Sequence, residues 1–379
     1  MKKHSGRLVY SPSDLIRYLA SPFASWMDRY YLEHPEAAVP DEQTEDQKLI
    51  AETGNRHELA VLSDFKSSAP GLVEIPRGDI ADAREKTLAA VKAKAPIIYQ
   101  AALEDGQFAG SADFIIVDAA DQYQVWDTKL ARSPKPYYAV QLCCYSEMFA
   151  AATRRAMPGK FGIILGTKDR VEFRVEDFIH YYRHIKNSFL AMQAGFTGNL
   201  DDRPEPLPRA DHGRWTSHAE EFFHERDHLA RVAGISVGQI KKLNAAGITT
   251  VAELAAASGR SVRKLAAESL EKLVAQARLQ SQTIADRLKD PDAPARYEVL
   301  APGNDYDPVG LAALPPDHPA DVFFDMEGYP LTAGGLEYLF GATTIDPVTK
   351  ALEFSDWWAH DRDEEKAAFE GFIDWAFER

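Results

Sequence analysis

The stretch from Gly110 to Tyr145, GSADFIIVDAADQYQVWDTKLARSPKPYYAVQLCCY, constrains the fold of this chain more than any other. Gly110 to Val117 and Gln122 to Lys129 are runs rich in β-branched and aromatic residues, and the segment Asp118 to Asp121 between them has the length of a hairpin loop. The pattern predicts an antiparallel hairpin. With its turn near Ala119 and Ala120, residues whose numbers sum to 239 or 240 face each other, which sets Asp113 opposite Trp126 or Asp127. Cross-strand Cβ atoms lie about 4.5–5.5 Å apart, so two carboxylates meet across the ladder. Lys129 follows Asp127 by two residues and so projects from the same face.

Two carboxylates this close on a water-accessible face repel each other and tend to keep a proton unless a cation neutralises them. A hard divalent ion takes oxygen ligands and keeps several waters. Such an ion lowers the pKa of a water and offsets charge building on a phosphate, while a nearby lysine holds the water or the scissile phosphate. The chemistry implied is phosphodiester hydrolysis. After the hairpin, Tyr138 to Ala152 reads as a mostly apolar helix, with Gln141 and Tyr145 spaced i, i+4 on one face that can look back at the carboxylates.

Asp113, then Asp127-Thr128-Lys129, then Gln141-x-x-x-Tyr145 resemble the restriction-endonuclease-like PD-(D/E)XK core, and the Gln-x-x-x-Tyr spacing resembles its RecB-type nuclease branch. That branch carries an upstream metal-binding histidine on a helix, matched here by His57 in Gly54-Asn55-Arg56-His57-Glu58. The resemblance implies a deoxyribonuclease dependent on Mg²⁺ or Mn²⁺. Asp113, Asp127 and His57 would be metal ligands, Thr128 would lend its carbonyl, and Lys129 would position the water. Gln141 and Tyr145 would hold the substrate or Lys129. Many relatives also hold a four-cysteine iron–sulfur cluster, but here Ser21 stands at the first position and Arg209 to Glu220 contains no cysteine. No iron–sulfur cluster is expected, because a cluster needs thiolate ligands. The competing reading is a catalytically degenerate DNA-binding or scaffold module of a helicase–nuclease protein. The intact Asp113, Asp127 and Lys129 favour the enzyme; the lost cysteines and the acidic balance favour the scaffold.

The chain has 379 residues, 45% of them hydrophobic, enough for two or three domains with their own cores. No apolar run reaches 18 residues and Met1 to Tyr10 lacks a hydrophobic signal core, so a soluble cytoplasmic protein with no membrane partner is expected. The two cysteines, Cys143 and Cys144, are adjacent on the apolar helix and read as core thiols. His212, His218, His224 and His228 lack cysteines or a clear histidine pair at zinc spacing and read as solvated.

A net charge of −15 opposes phosphate binding, but the charge is uneven. Leu229 to Gln280 carries eight basic and three acidic residues, net +5, whereas Ser281 to Arg379 carries seven basic and 21 acidic ones. DNA is therefore expected to be gripped by the middle segment.

In chain order, Ser11 or Ser13 caps a first helix that ends at Ala20-Ser21-Pro22-Phe23. Gln47 to Phe65 forms a second, with Leu49, Leu59, Leu62 and Phe65 inward, and Asp82 to Ala95 a third. Strands are expected at Ile97 to Leu103, Phe161 to Gly166 and Val171 to Val175, and Asp177 to Ala194 closes an α/β nuclease domain, residues 1–200, around a mixed sheet flanked by helices. Residues 201–228 read as a linker covering the degenerate cysteine region.

Residues 229–280 resemble a small all-α helix-hairpin-helix module. Glycine turns at Gly234 to Gly238 and at Gly247 would free helix amides for phosphate, with Lys241, Lys242, Arg263 and Lys264 alongside. Residues 281–320 are a Pro-rich linker. Residues 321–379 resemble the opening of an RNase H-like, DEDD-type exonuclease domain, with Asp325 and Glu327 as a second acidic pair on one strand face. That partial α/β segment suggests a piece of a longer protein, since relatives with this domain order continue into a superfamily 1 helicase.

Overall fold

The computed structural model describes residues 1–4, 6–299, 303–304, 307–330, 332 and 334–379. A short antiparallel ribbon, β1 (Lys2–His4) with β2 (Arg7–Val9), leads into α1 (Pro12–Ala20) and α2 (Pro22–Glu33). Ser11 caps α1: its backbone N–H donates to the Asp14 carboxylate at 2.7 Å. α3 (Glu45–Ser68), the short β3 (Val73–Glu74) and α4 (Ile80–Lys92) follow. Next come β4 (Ile97–Glu104), β5 (Ala109–Val117) and β6 (Tyr123–Lys129), then α5 (Pro136–Thr153), β7 (Lys160–Leu165), β8 (Arg170–Arg174) and α6 (Ile179–Ala194).

These strands form one six-stranded mixed sheet in sequence order, β3-β4-β5-β6-β7-β8, antiparallel except where β3 meets β4 and β6 meets β7. The parallel β6–β7 step needs a crossover, and α5 supplies it. α5 is apolar nearly all round, so it is buried nearly all round: Val140, Leu142, Cys143, Cys144, Met148 and Phe149 are sealed between the sheet and α1, α4 and α6. Both thiols are core residues, and burial pushes each up to about 12, so they stay protonated. The other sheet face is covered by α3 through Val61, Leu62 and Phe65 against Phe114, Trp126 and Ile164.

At that face the Trp126 ring lies flat against Gly162, its partner on β7, leaving no room for a Cβ. Gly162→Ala is expected to overpack the sheet and cost about 1–3 kcal/mol, read as a lower denaturant midpoint at unchanged m-value.

Two expectations need correcting. Leu49 and Leu59 are 37% and 57% exposed, so the inward apolar face of α3 is carried by Val61, Leu62 and Phe65 instead. Residues 201–228 are no simple linker: α7 (Thr216–Glu225), entered through a 3-10 turn at Gly213–Trp215, packs on α2. Trp215 and Ala219 join Phe23, Trp26 and Met27 of α2 in a separate small core, whose burial outweighs the prolines before it. Inside it, Ser21 Oγ meets His212 Nδ1 at 2.8 Å, both residues buried, so His212 is a core residue; His218 and His228 are half-buried, against the Val39 carbonyl and the Phe223 ring, and of the four expected to be solvated only His224 is exposed.

The next unit is all-α: α8 (Val237–Ala245), α9 (Val251–Ala255) and α10 (Ala267–Arg287) enclose Leu243, Ile248, Leu254 and Ala277. α10 extends seven residues beyond the expected boundary at Gln280. Of the proline-rich stretch after it, residues 300–302, 305 and 306 lie outside the described residues; a two-residue ribbon pairs β9 (Gly303–Asn304) with β10 (Asp307–Pro308). The last unit is a three-stranded antiparallel sheet, β11 (Val322–Tyr329), β12 (Leu336–Ile345) and β13 (Leu352–Trp358), with α11 (Arg362–Glu378) on one face. The whole is mixed α/β, and no helix among the described residues is long and apolar enough to cross a membrane.

Candidate active site

The hairpin register runs Phe114↔Trp126, Ile115↔Val125, Ile116↔Gln124, so paired numbers sum to 240. The ladder ends at Phe114 and Trp126, and Asp113 and Asp127 are the next residues on each strand, close enough for their charges to interact. The Asp113 carboxylate reaches across to Thr128, accepting from its backbone N–H and its hydroxyl, both at 2.9 Å. Asp127 is buried at 4% exposure, and Lys129 Nζ lies 2.5 Å from its Oδ2. That contact is a close ion pair, so the ammonium is the charge partner of Asp127. Lys129 Nζ donates to Gln141 Oε1 at 3.3 Å, so of the two roles open to Gln141 the geometry supplies the hold on Lys129. Tyr145, one turn along α5, is buried with its hydroxyl against Gly110 of β5.

Burial raises the Asp113 carboxyl to about 7, and the neighbouring charge of Asp127 adds to it; the Thr128 donors and Lys129 pull the other way without restoring the ordinary value. Lys129 is pushed down by burial, but the Asp127 charge beside it outweighs this and leaves it above the ordinary lysine range. It is an ammonium at neutral pH. Tyr145 is raised by burial and by the two nearby carboxylates, so its phenol keeps its proton.

His57 stands apart from this group. It sits on α3 over the end of β6 with Nε2 buried and without a hydrogen-bond partner, lining a groove with Arg56, Leu130, Arg132 and Lys168. Among the described residues no three His, Cys, Asp or Glu side chains converge as a ready-made metal site.

Three residues given no role on sequence grounds border the site. Glu58 accepts from Tyr99 Oη at 2.7 Å and from Gln100 Nε2 at 2.6 Å. Gln100 has φ +54° and falls where the β4–β5 ladder, running Tyr99↔Phe114 and Ala101↔Ala112, skips Asp113. A left-handed glutamine inside a strand is strained, and strain of this kind gathers at functional sites. No sequence pattern announces it; only the glutamate beside His57 was a signal.

In the helical unit, Gly234 and Gly247 adopt φ +77° and +73°, as the turns into α8 and α9 require. The amides after Gly247 are not free. Glu253 Oε2 accepts from Thr249 and Thr250 N–H at 2.7 and 3.2 Å, and Asp227 accepts from Val251 and Ala252. At α8, Ser236 and Gln239 close a capping box beside Gly238. The cationic side chains do converge: Lys241, Lys242, Arg263 and Lys264 line one hollow of about 330 Å³. In the C-terminal unit Phe324 stacks on Phe372 of α11, so Asp325 and Glu327 project from the opposite, uncovered face of β11.

Compared with protein-family models and with curated proteins, the chain matches none.

Proposed function

We propose that the chain is a metal-dependent nuclease of the RecB-type, restriction-endonuclease-like class that cleaves DNA by phosphodiester hydrolysis. The observation that carries this reading is the pairing of Asp113 and Asp127 across one hairpin with Lys129 and Gln141 beside them. The donor set suits a hard ion, for two carboxylates share the site and Asp113 is raised by burial and by the Asp127 charge, which a cation would offset. Magnesium asks for only one or two carboxylates and keeps its waters. Asp113 and Asp127, with the Thr128 carbonyl nearby, would hold Mg²⁺ or Mn²⁺, which supplies charge against the phosphate and makes a water more acidic. Lys129, fixed by Asp127 and Gln141, directs its ammonium at the water or the phosphate. Tyr145 supports the carboxylates from behind. In the same proposal the Lys241–Lys264 hollow holds the DNA backbone, and the C-terminal sheet opens an RNase H-like domain with Asp325 and Glu327 as its first acidic pair. A helicase domain or subunit is the expected partner.

The test is cleavage of end-labelled single- and double-stranded DNA with Mg²⁺ or Mn²⁺. Cleavage that vanishes in EDTA and in Asp127→Ala supports the enzyme. DNA binding without cleavage under every metal condition supports the scaffold instead.

A further inference from the structure

A cavity of about 400 Å³ opens beside Lys129 and Gln141 on the side of α1, and two other residues in its wall, Arg17 and Tyr137, take no part in holding the carboxylates. Tyr137 opens the first turn of α5 and is 37% exposed. Its ring stands edge-on to buried Tyr138, centroids 4.7 Å apart at 75°, and Tyr138 in turn lies 5.4 Å from Lys129 Nζ. The aromatic surface is thus braced from behind and offered to the cavity. Arg17 lies in the last turn of α1 with its guanidinium packed over Gly213, where any Cβ would collide with it. Its salt-bridge partner, Asp211, is 3.9 Å away and 79% exposed at the side chain, so the charge is weakly neutralised while its position is well defined.

An exposed ring and a lightly paired guanidinium beside a half-buried lysine are what an unpaired nucleotide needs: a π-face for the base and a fork for its phosphate. A duplex hides its base faces in its own stack and offers the ring nothing. We propose that this cavity is a single-strand subsite, in which one base of a single-stranded or frayed nucleic acid stacks on Tyr137 and the adjoining phosphate pairs with Arg17, presenting the next phosphodiester to Lys129. The last step rests on the nuclease reading; the binding does not.

The test uses the full chain carrying Asp113→Asn, in EDTA, with fluorescence anisotropy of a short oligo-dT, an oligo-rU and a blunt hairpin duplex. Tyr137→Ala should weaken single-strand binding about tenfold, with Tyr137→Phe restoring it. Arg17→Ala should flatten the single-strand salt slope by about 0.7, and neither change should move the duplex. The tighter of the two oligomers then identifies the sugar of the natural strand. Unchanged single-strand affinity in Tyr137→Ala, or equal losses on single strand and duplex, overturns the subsite. Cleavage by the unmutated chain with Mg²⁺ is scored separately. Cleavage without the Tyr137 dependence removes the subsite alone; the Tyr137 dependence without cleavage leaves the subsite standing and removes the nuclease.

Discussion

Asp113→Asn is expected to reduce metal-dependent cleavage by on the order of a thousandfold or more while raising the stability of the metal-free protein above neutral pH. The two effects share a cause. In the folded chain the Asp113 carboxyl is raised from 3.8 to about 7, chiefly by burial and then by Asp127. Between those values the folded state binds a proton that the unfolded state has lost, so this group's stabilisation is complete below pH 3.8 and disappears as pH rises through about 7. Asparagine keeps an oxygen for the Thr128 donors and never ionises. The variant should therefore match the parent only below about pH 3.8, gain on it as pH rises to about 7, and melt several degrees higher at pH 8 in EDTA. Adding Mg²⁺ should stabilise the parent more at pH 8 than at pH 6, because the cation binds the ionised pair, and should leave the variant nearly unmoved. Parallel pH profiles for the two proteins, measured by calorimetry, would show that the carboxylates are not paired as the structure has them.

What could be read from the sequence divides along a physical line. The hairpin register, the buried α5 crossover and the shared helix face of Gln141 and Tyr145 follow from local periodicity, which a sequence displays directly. Asp113 needed only a turn of known length to meet Asp127. The placement of His57 depended instead on where a long helix crosses the sheet. α3 turns Val61, Leu62 and Phe65 to the sheet, which leaves Leu59 on its outer side. α7 was hidden behind three prolines, and the packing of Trp215 and Ala219 on α2 is a long-range contact that no window reveals. The same holds for Gln100, whose left-handed backbone accompanies a side-chain bond to Glu58 on another element. Arg17 and Tyr137 share a cavity only because α1 packs along α5.

Lys241→Glu with Lys242→Glu is expected to weaken duplex binding at least tenfold and to flatten its log–log salt slope by about 2, since each neutralised phosphate contributes roughly −0.9. The glycine turns suggested that helix amides would take much of this load. In the folded unit the amides before and within α9 already bind Glu253 and Asp227, and Glu253 is held below the usual carboxylate range by the Thr249 amide above all. A phosphate would have to displace a bonded carboxylate there and gain little. The load passes to side chains: Lys241 and Lys242 share one hollow with Arg263 and Lys264, a concave site where four cations act on the same anion. Point charges on flexible stems read no bases, so binding should be insensitive to sequence. Cleavage at saturating DNA should be largely retained, because the substituted lysines lie in a separate unit from Asp113 and Asp127. An unchanged slope in the double reversal, measured across a salt titration, would make the helical unit a packing or partner module and leave the grip on DNA to the cleft around Lys129.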